Sequence, residues 1–360
     1  MSQHMPSKSP HNPLSHIKHT ALVGGVTFCI VIGSCATALV AFMWVGWTPG
    51  SSQKLLPGVT FSIPYAEELH LNWRETLSAL LDDMHVRLFR IPAYWSEIEP
   101  EEGTYDWSQM DYQLDAIAAR NGKVILAVGA KLPRWPECWI PDWAIHKGLA
   151  GEREARLEFI AKVVSRYQNH PAVSLWQVEN EPMFSFGLCP APSRAFFKQE
   201  VALVHSIDIK HPVSTTDSGE LSDWIRAGSL VDVLGVSTYR TVKTFWSATW
   251  QYNFIPVYWY ARRAALLKPF VKKVYVSEFQ MEPWSDRSLA DTPIADQTSF
   301  MSPDRMQANF AYSERMGFDA VSYWGAEWWW WMKTQQGDSR YWDIAKDFFA
   351  KHQNDGVRFP

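Results

Sequence analysis

Val173-Ser174-Leu175-Trp176-Gln177-Val178 is a short apolar run that ends on Glu179-Asn180-Glu181-Pro182, and Val274-Tyr275-Val276-Ser277 ends on Glu278-Phe279. Both runs have the length and β-rich composition of a buried strand, and both deliver carboxylates at their C-terminal ends. The same kind of run recurs at residues 59–63, 86–91, 124–128, 213–216, 231–236 and 320–324, giving eight strands in all. Between the runs, apolar residues repeat at helical spacing. Trp73, Leu77, Leu80 and Met84 form one such stripe, Met110, Leu114 and Ile117 a second, and Leu157, Ile160, Val164 and Tyr167 a third. Further helices are expected over residues 195–209, 257–267, 305–316 and 344–352.

Eight strand-then-helix units in a stretch of this length match an α/β fold of the (β/α)8 TIM-barrel type, for which about 250 residues is typical. The alternative is a doubly wound open sheet. It is disfavoured because no glycine-rich phosphate turn follows the first strand. In a barrel the chemistry stands at the C-terminal ends of the strands, so the carboxylates after the fourth and seventh strands become the candidates.

The whole chain has 360 residues, 47% of them hydrophobic, with 34 basic against 38 acidic side chains. That composition supports a large core, and the charge balance lacks the basic footprint of a nucleic-acid binder. Its 20 Trp are roughly four times ordinary usage. Pyranose rings present apolar C–H faces that stack on indole, which gives such an excess a physical use.

From Thr20 to Gln53 no charged residue occurs, and residues 21–47 are mostly apolar, longer than the roughly 20 residues a membrane-spanning helix needs. Lys8 and Lys18 precede this stretch and no acid does, which orients the N-terminus toward the cytoplasm. The expected division is a cytoplasmic tail over 1–19, a transmembrane helix over 20–47, a linker over 48–57 and the barrel over 58–360, outside the cytoplasmic membrane. A cleaved signal peptide and lipid attachment at Cys35 are the competing readings. Both fit less well, because the apolar run exceeds a signal-peptide core and continues past Cys35. Cys138 and Cys189 fall in neighbouring predicted loops, where they would form one bridge or stay as two free thiols.

Two carboxylates converging at a barrel mouth are what glycosidic bond cleavage uses. The chain from about residue 58 to 345 resembles glycoside hydrolase clan A, the retaining (β/α)8-barrel glycosidases that include the family 5 cellulases. Arg90-Ile91-Pro92-Ala93-Tyr94-Trp95 is similar to the clan's strand-2 segment, Asn180-Glu181-Pro182 to its acid/base motif, Glu278 to its strand-7 nucleophile and Trp324 to its strand-8 platform. Trp95 followed by Glu99-Pro100-Glu101-Glu102-Gly103-Thr104-Tyr105-Asp106-Trp107 is similar to the strand-2 loop of several members, among them β-galactosidases of families 35 and 42.

The resemblance implies Glu181 as general acid/base and Glu278 as nucleophile, with Arg90 pairing with Glu278, Tyr239 donating to it and Asn180 contacting the sugar 2-hydroxyl. Trp95, Trp135, Trp324 and Trp328 are further candidates for substrate contact. Glu179 and Glu282 are rival carboxylates that match no motif. Family 5 members often carry histidines where this sequence has Ser237 and Ala130-Lys131, a departure from that family's pattern. Lys131 also admits a Schiff-base reading, with a substrate-contacting or solvated lysine as the simpler one. Metalloprotease, nucleotidase, zinc-module and serine-hydrolase motifs are absent, so neither cofactor nor metal is implied.

The expected protein is therefore a membrane-anchored retaining glycosidase, a monomer acting on an oligo- or polysaccharide with β-linkages. A transglycosylase using the same two Glu is the rival within enzymes, and a carbohydrate-binding pseudoenzyme is the rival outside them. The long loops after strands 3 and 4, residues 132–151 and 183–193, are expected to set specificity.

Overall fold

The computed structural model describes residues 33–34, 37–38, 40–43, 55–189, 193–243 and 249–353. The chain divides into two compact units, 1–47 and 48–360. In the first, the described residues are helical. Most of the membrane helix expected over 20–47 lies outside the described residues, and among those described no helix is long and apolar enough to cross a membrane.

The second unit is built on eight strands: β1 (Leu56–Thr60), β2 (Leu88–Pro92), β3 (Lys123–Val128), β4 (Val173–Val178), β5 (Val213–Ser218), β6 (Val233–Thr238), β7 (Val274–Gln280) and β8 (Ala320–Trp324). Each pairs in parallel with its chain neighbours, and β1 pairs with β8 to close the barrel. Helices follow the strands, among them Trp73–Asp82, Ser108–Ala118, Gly148–Tyr167, Arg194–Ile207, Trp259–Leu267, Pro303–Arg315 and Arg340–Lys351. The eight-strand barrel read from the sequence is thus the architecture found.

One boundary moved for a local reason. The first strand was expected over 59–63 but ends at Thr60, because the Ser62 hydroxyl accepts from the Tyr65 N–H and caps a helix that opens at Ile63 with a proline in its first turn. Trp328-Trp329-Trp330-Trp331 lie together on a helix over Ala326–Thr334. A small antiparallel hairpin after β6, Thr241–Lys243 with Thr249–Gln251, was not anticipated.

Inside the barrel, Leu88, Ile125, Leu175, Val233, Tyr275 and Ala320 make a separate apolar cluster, one residue from each of six strands. Side chains two residues further along a strand return to the same face, so Arg90 and Gln177 lie one layer above this floor. Strict alternation from Tyr275 would turn Glu278 outward. The pairing of β7 slips by one residue, from Val236 opposite Val276 to Ser237 opposite Glu278, and that bulge re-aims Glu278 toward the axis. The larger core lies between barrel and helices and takes most of the indoles, with Trp95, Trp176, Trp224, Trp328, Trp329 and Trp342 fully buried.

Candidate active site

Arg90 is completely buried at the centre of the barrel mouth and spreads its donors over three acceptors. Nε donates to Gln177 Oε1 on β4 (2.6 Å), Nη1 to Glu278 Oε1 on β7 (2.6 Å) and Nη2 to Asn180 Oδ1 just past β4 (2.6 Å). Tyr239, just past β6, donates its hydroxyl to Glu278 Oε2 (2.9 Å). Both oxygens of Glu278 are thereby held by donors, which orients the carboxylate. Burial and the adjacent Glu278 push the Tyr239 phenol well above its ordinary range, so it stays a donor.

Asn180 Oδ1 accepts a second hydrogen bond, from Thr216 Oγ1 (2.7 Å). An oxygen taken by two donors fixes the amide orientation and leaves Nδ2 as the group available to a ligand. Thr216 Oγ1 also receives the Glu181 N–H (2.8 Å), which ties the next residue to the same post on β5.

Glu181 stands on a backbone with φ of 45°, and Glu179 on one with φ of 57°. Among the described residues eight non-glycines have positive φ, and four of them, Arg134, Glu137, Glu179 and Glu181, lie in the loops after β3 and β4. Strain of this kind, about 1 to 3 kcal/mol each, gathers where a side chain must be aimed. The Glu181 carboxyl accepts from Ser237 Oγ (2.7 Å). Burial first, then the neighbouring Glu278, pushes the Glu181 carboxyl up to about 8, and the Ser237 bond only partly offsets them. At neutral pH Glu181 is therefore a carboxylic acid beside a carboxylate, the division of labour that general acid and nucleophile require.

The two rival carboxylates have structural duties. Glu179 is fully buried and accepts the backbone N–H groups of Ala130 (2.9 Å) and Lys131 (2.6 Å) with a contact to Arg156 (3.2 Å), joining the β3 loop to β4. Gly129 sits against it, with φ of 129° and room for no more than a hydrogen, because a Cβ there would fall 2.5 Å from Glu179 Oε1. Glu282 is bound by Arg134 through Oε1 and by the Tyr65 hydroxyl through Oε2 (2.8 Å).

The aromatic candidates separate into two groups. Trp324 stands at the end of β8 with the Arg134 guanidinium 3.8 Å over its ring, and Trp135 is 64% exposed on the β3 loop. Trp95 and Trp328, expected to touch substrate, do not reach the mouth. Trp95 is fully buried, stacked on Phe159 with its indole N–H on Glu99 Oε2 (2.8 Å), and the Gly103 N–H takes the other oxygen (2.9 Å). Glu99 thereby ties Trp95 to Gly103 and folds this stretch back on itself. Trp328 is fully buried against Tyr341 and donates to Gln297 (2.7 Å). The four-indole run lies on one helix, so its faces are divided between core layers.

Three members of the site were not singled out from the sequence: Thr216, Gln177 and Ser237 as the acid's partner. Ser237 had been visible only as a departure from a family pattern. Lys131 Nζ donates to the carbonyls of Glu181 (3.1 Å) and Phe184 (2.8 Å), which gives it a structural partner set in the β4 loop. Among the described residues no group of three or more His, Cys, Asp or Glu is placed to hold a metal ion.

The model of glycoside hydrolase family 42, described as β-galactosidase, matches residues 67–252, just over half of the chain. The chain belongs to this family. The matched stretch contains Arg90, Asn180, Glu181 and Tyr239 and ends before Glu278. Among curated relatives, the β-galactosidase GanA of Bacillus subtilis is 30% identical over 134 residues, 30% of this chain and 20% of its own. The β-galactosidase BgaA of Clostridium cellulovorans is 25% identical over 182 residues, 44% of this chain and 27% of its own. The chain thus spans only about a quarter of the length of these relatives. Among solved structures, a β-galactosidase of Halorubrum lacusprofundi superposes with a TM-score of 0.56 at 17% identity, over 84% of this chain and 59% of that one, a likeness of fold.

The raised acid has a measurable cost. A carboxyl whose folded-state value exceeds its unfolded value contributes stability below the unfolded value, and that contribution is lost as pH rises toward about 8. Glu181→Gln, which cannot ionise, is expected to raise the unfolding temperature relative to the wild type at pH 8.5 by a few degrees. The difference should shrink toward pH 5, as scanning calorimetry at the two pH values would show. An equal difference at both would contradict the assignment of Glu181 as the protonated carboxyl.

Proposed function

We propose that the chain is a retaining β-galactosidase in which Glu278 is the nucleophile and Glu181 the acid/base. The observation that carries this reading is the asymmetry of the pair: Glu278 is held by Arg90 and Tyr239, while Glu181 is kept protonated by burial and by Glu278 itself. Family membership supports the choice of galactoside.

In the first step a Glu278 oxygen attacks the anomeric carbon, the glycosidic C–O bond breaks, and Glu181 gives its proton to the departing oxygen. The sugar is then an ester of Glu278. In the second step Glu181, now a carboxylate, takes a proton from water as the water oxygen attacks the anomeric carbon and Glu278 leaves. Asn180 Nδ2 would donate to the sugar 2-hydroxyl, and Trp324 and Trp135 would supply apolar faces.

The test is turnover of 2-nitrophenyl β-galactoside and lactose beside the corresponding β-glucosides and β-mannosides. Release from galactosides is expected, with Glu278→Gln and Glu181→Gln each losing about a thousandfold or more on lactose. The kcat/KM profile should fall on the alkaline side near pH 8 as Glu181 loses its proton. Activity that survives both substitutions would refute the site, and products longer than the substrate would indicate transfer to sugar in place of water.

We further propose that residues 20–47 anchor a monomer in the cytoplasmic membrane with the barrel outside. The uncharged stretch from Thr20 to Gln53 and the preceding lysines support this, as does the bond between Cys138 and Cys189, which suits an oxidising compartment. The full chain should stay in the membrane fraction through alkaline carbonate, and protease added outside intact cells should reach the barrel. Release into the soluble fraction would contradict the anchor.

A further inference from the structure

The loops expected to set specificity are bound to one another. After β3 the chain makes a tight turn in which Leu132 N–H bonds the Glu137 carbonyl (3.0 Å) and Glu137 N–H the Arg134 carbonyl (2.7 Å). That turn is fastened to the β4 loop by the Cys138–Cys189 disulfide and by Leu188 N–H on the Pro136 carbonyl (3.0 Å). Gly187 makes the approach possible, since a Cβ there would stand 2.8 Å from Glu137 Cβ.

This construction presents a third carboxyl beside the catalytic pair. Glu137 is 8% exposed, on a backbone with φ of 62°. Its Oε2 has no hydrogen-bond partner and forms an ion pair with Lys131 Nζ at 3.7 Å, the same ammonium that holds the Glu181 carbonyl. Burial first, then Glu181, push the Glu137 carboxyl well above its usual range, and Lys131 only partly offsets them. A buried carboxyl in a left-handed turn, with one oxygen lacking a hydrogen-bond partner, is a costly arrangement.

An aromatic ridge leads to the same place. Tyr239, on the nucleophile, meets Trp284 edge to face (5.4 Å between ring centres), Trp284 meets Phe186 (5.9 Å), and Phe186 meets Trp135 (6.3 Å), which lies two residues from Glu137. Glu181 protonates the leaving oxygen, so groups on the β3 and β4 loops around it lie on the departing side of the bond.

The geometry points to a leaving-group subsite in which Trp135 and Phe186 stack on the apolar face of a departing pyranose and the Glu137 carboxyl hydrogen-bonds one of its hydroxyls. This rests on Glu181 and Glu278 being the catalytic pair, and Glu137 is a specificity-determining residue with no part in bond cleavage.

The test compares kcat/KM of the full chain on lactose and on β-1,4- and β-1,6-galactobiose with that on 2-nitrophenyl β-galactoside, which lacks leaving-group hydroxyls. Glu137→Ala is expected to lower the disaccharide-to-aryl ratio about tenfold. Glu137→Gln, whose amide can donate, should restore most of it. Trp135→Ala, at an exposed position and safe for folding, should lower the ratio severalfold and keeps the test decisive if Glu137→Ala does not fold. A ratio unchanged in the folded variants, an equal loss on both substrate kinds, or a wild type that cleaves the aryl galactoside and none of the disaccharides would overturn the inference. A wild type inactive on every galactoside would instead overturn the functional reading, and this inference with it.

Discussion

Three strands of the barrel converge on the Arg90 guanidinium. A cation with no exposure is tolerated only when its donors are matched by well-placed acceptors, because removing one partner of a buried pair costs about 3 to 5 kcal/mol. Gln177, Asn180 and Glu278 supply those acceptors, so the same residue that neutralises the charge also sets the distance between β4 and β7. The electrostatics of the mouth follow from this arrangement. Glu278 has its counter-charge and a phenol; Glu181 has a serine hydroxyl and a carboxylate neighbour, and is raised. Two identical side chains acquire opposite protonation through their surroundings.

The barrel could be read from residue order because strand-helix alternation is a local pattern, and each run such as 173–178 or 320–324 carries its own period. The catalytic candidates could be read because strand ends are where a barrel places its chemistry. What failed was facing. Trp95 and Trp328 stand next to motif residues in the chain, yet both turn into the core, and composition alone does not say which side of a strand or helix an indole takes. The bulge in β7 that aims Glu278 inward is a pairing event between strands, without a signal in either run alone. Ser237 and Thr216 are ordinary polar residues whose roles exist only through a partner more than thirty positions away.

The aromatic excess takes on a different meaning in the folded chain. Most indoles fill the space between barrel and helices, and a smaller set, Trp135, Trp284 and Trp324, gathers at the mouth. Trp135 and Trp284 sit on the loops after β3 and β7 and Trp324 ends β8, and the loops after β3 and β4 are joined by a disulfide, a backbone hydrogen bond and a glycine contact. Catalysis depends on geometry held to within fractions of an ångström, and a rim tied in this way preserves it. The family shares the barrel with this chain; the braced rim beside Glu181 is where this chain can differ in what it accepts.

If Arg90 and Tyr239 orient Glu278 as the nucleophile, the reaction passes through a covalent bond between Glu278 and the sugar. The most direct measurement is mass spectrometry of the protein after incubation with 2-deoxy-2-fluoro-β-galactosyl fluoride, which slows breakdown of such an ester. The account predicts one fluorogalactosyl adduct, found on the β7 peptide at Glu278 and absent from Glu278→Gln. An adduct on Glu137 or Glu282, or turnover of the probe with water attacking directly and no ester formed, would contradict it.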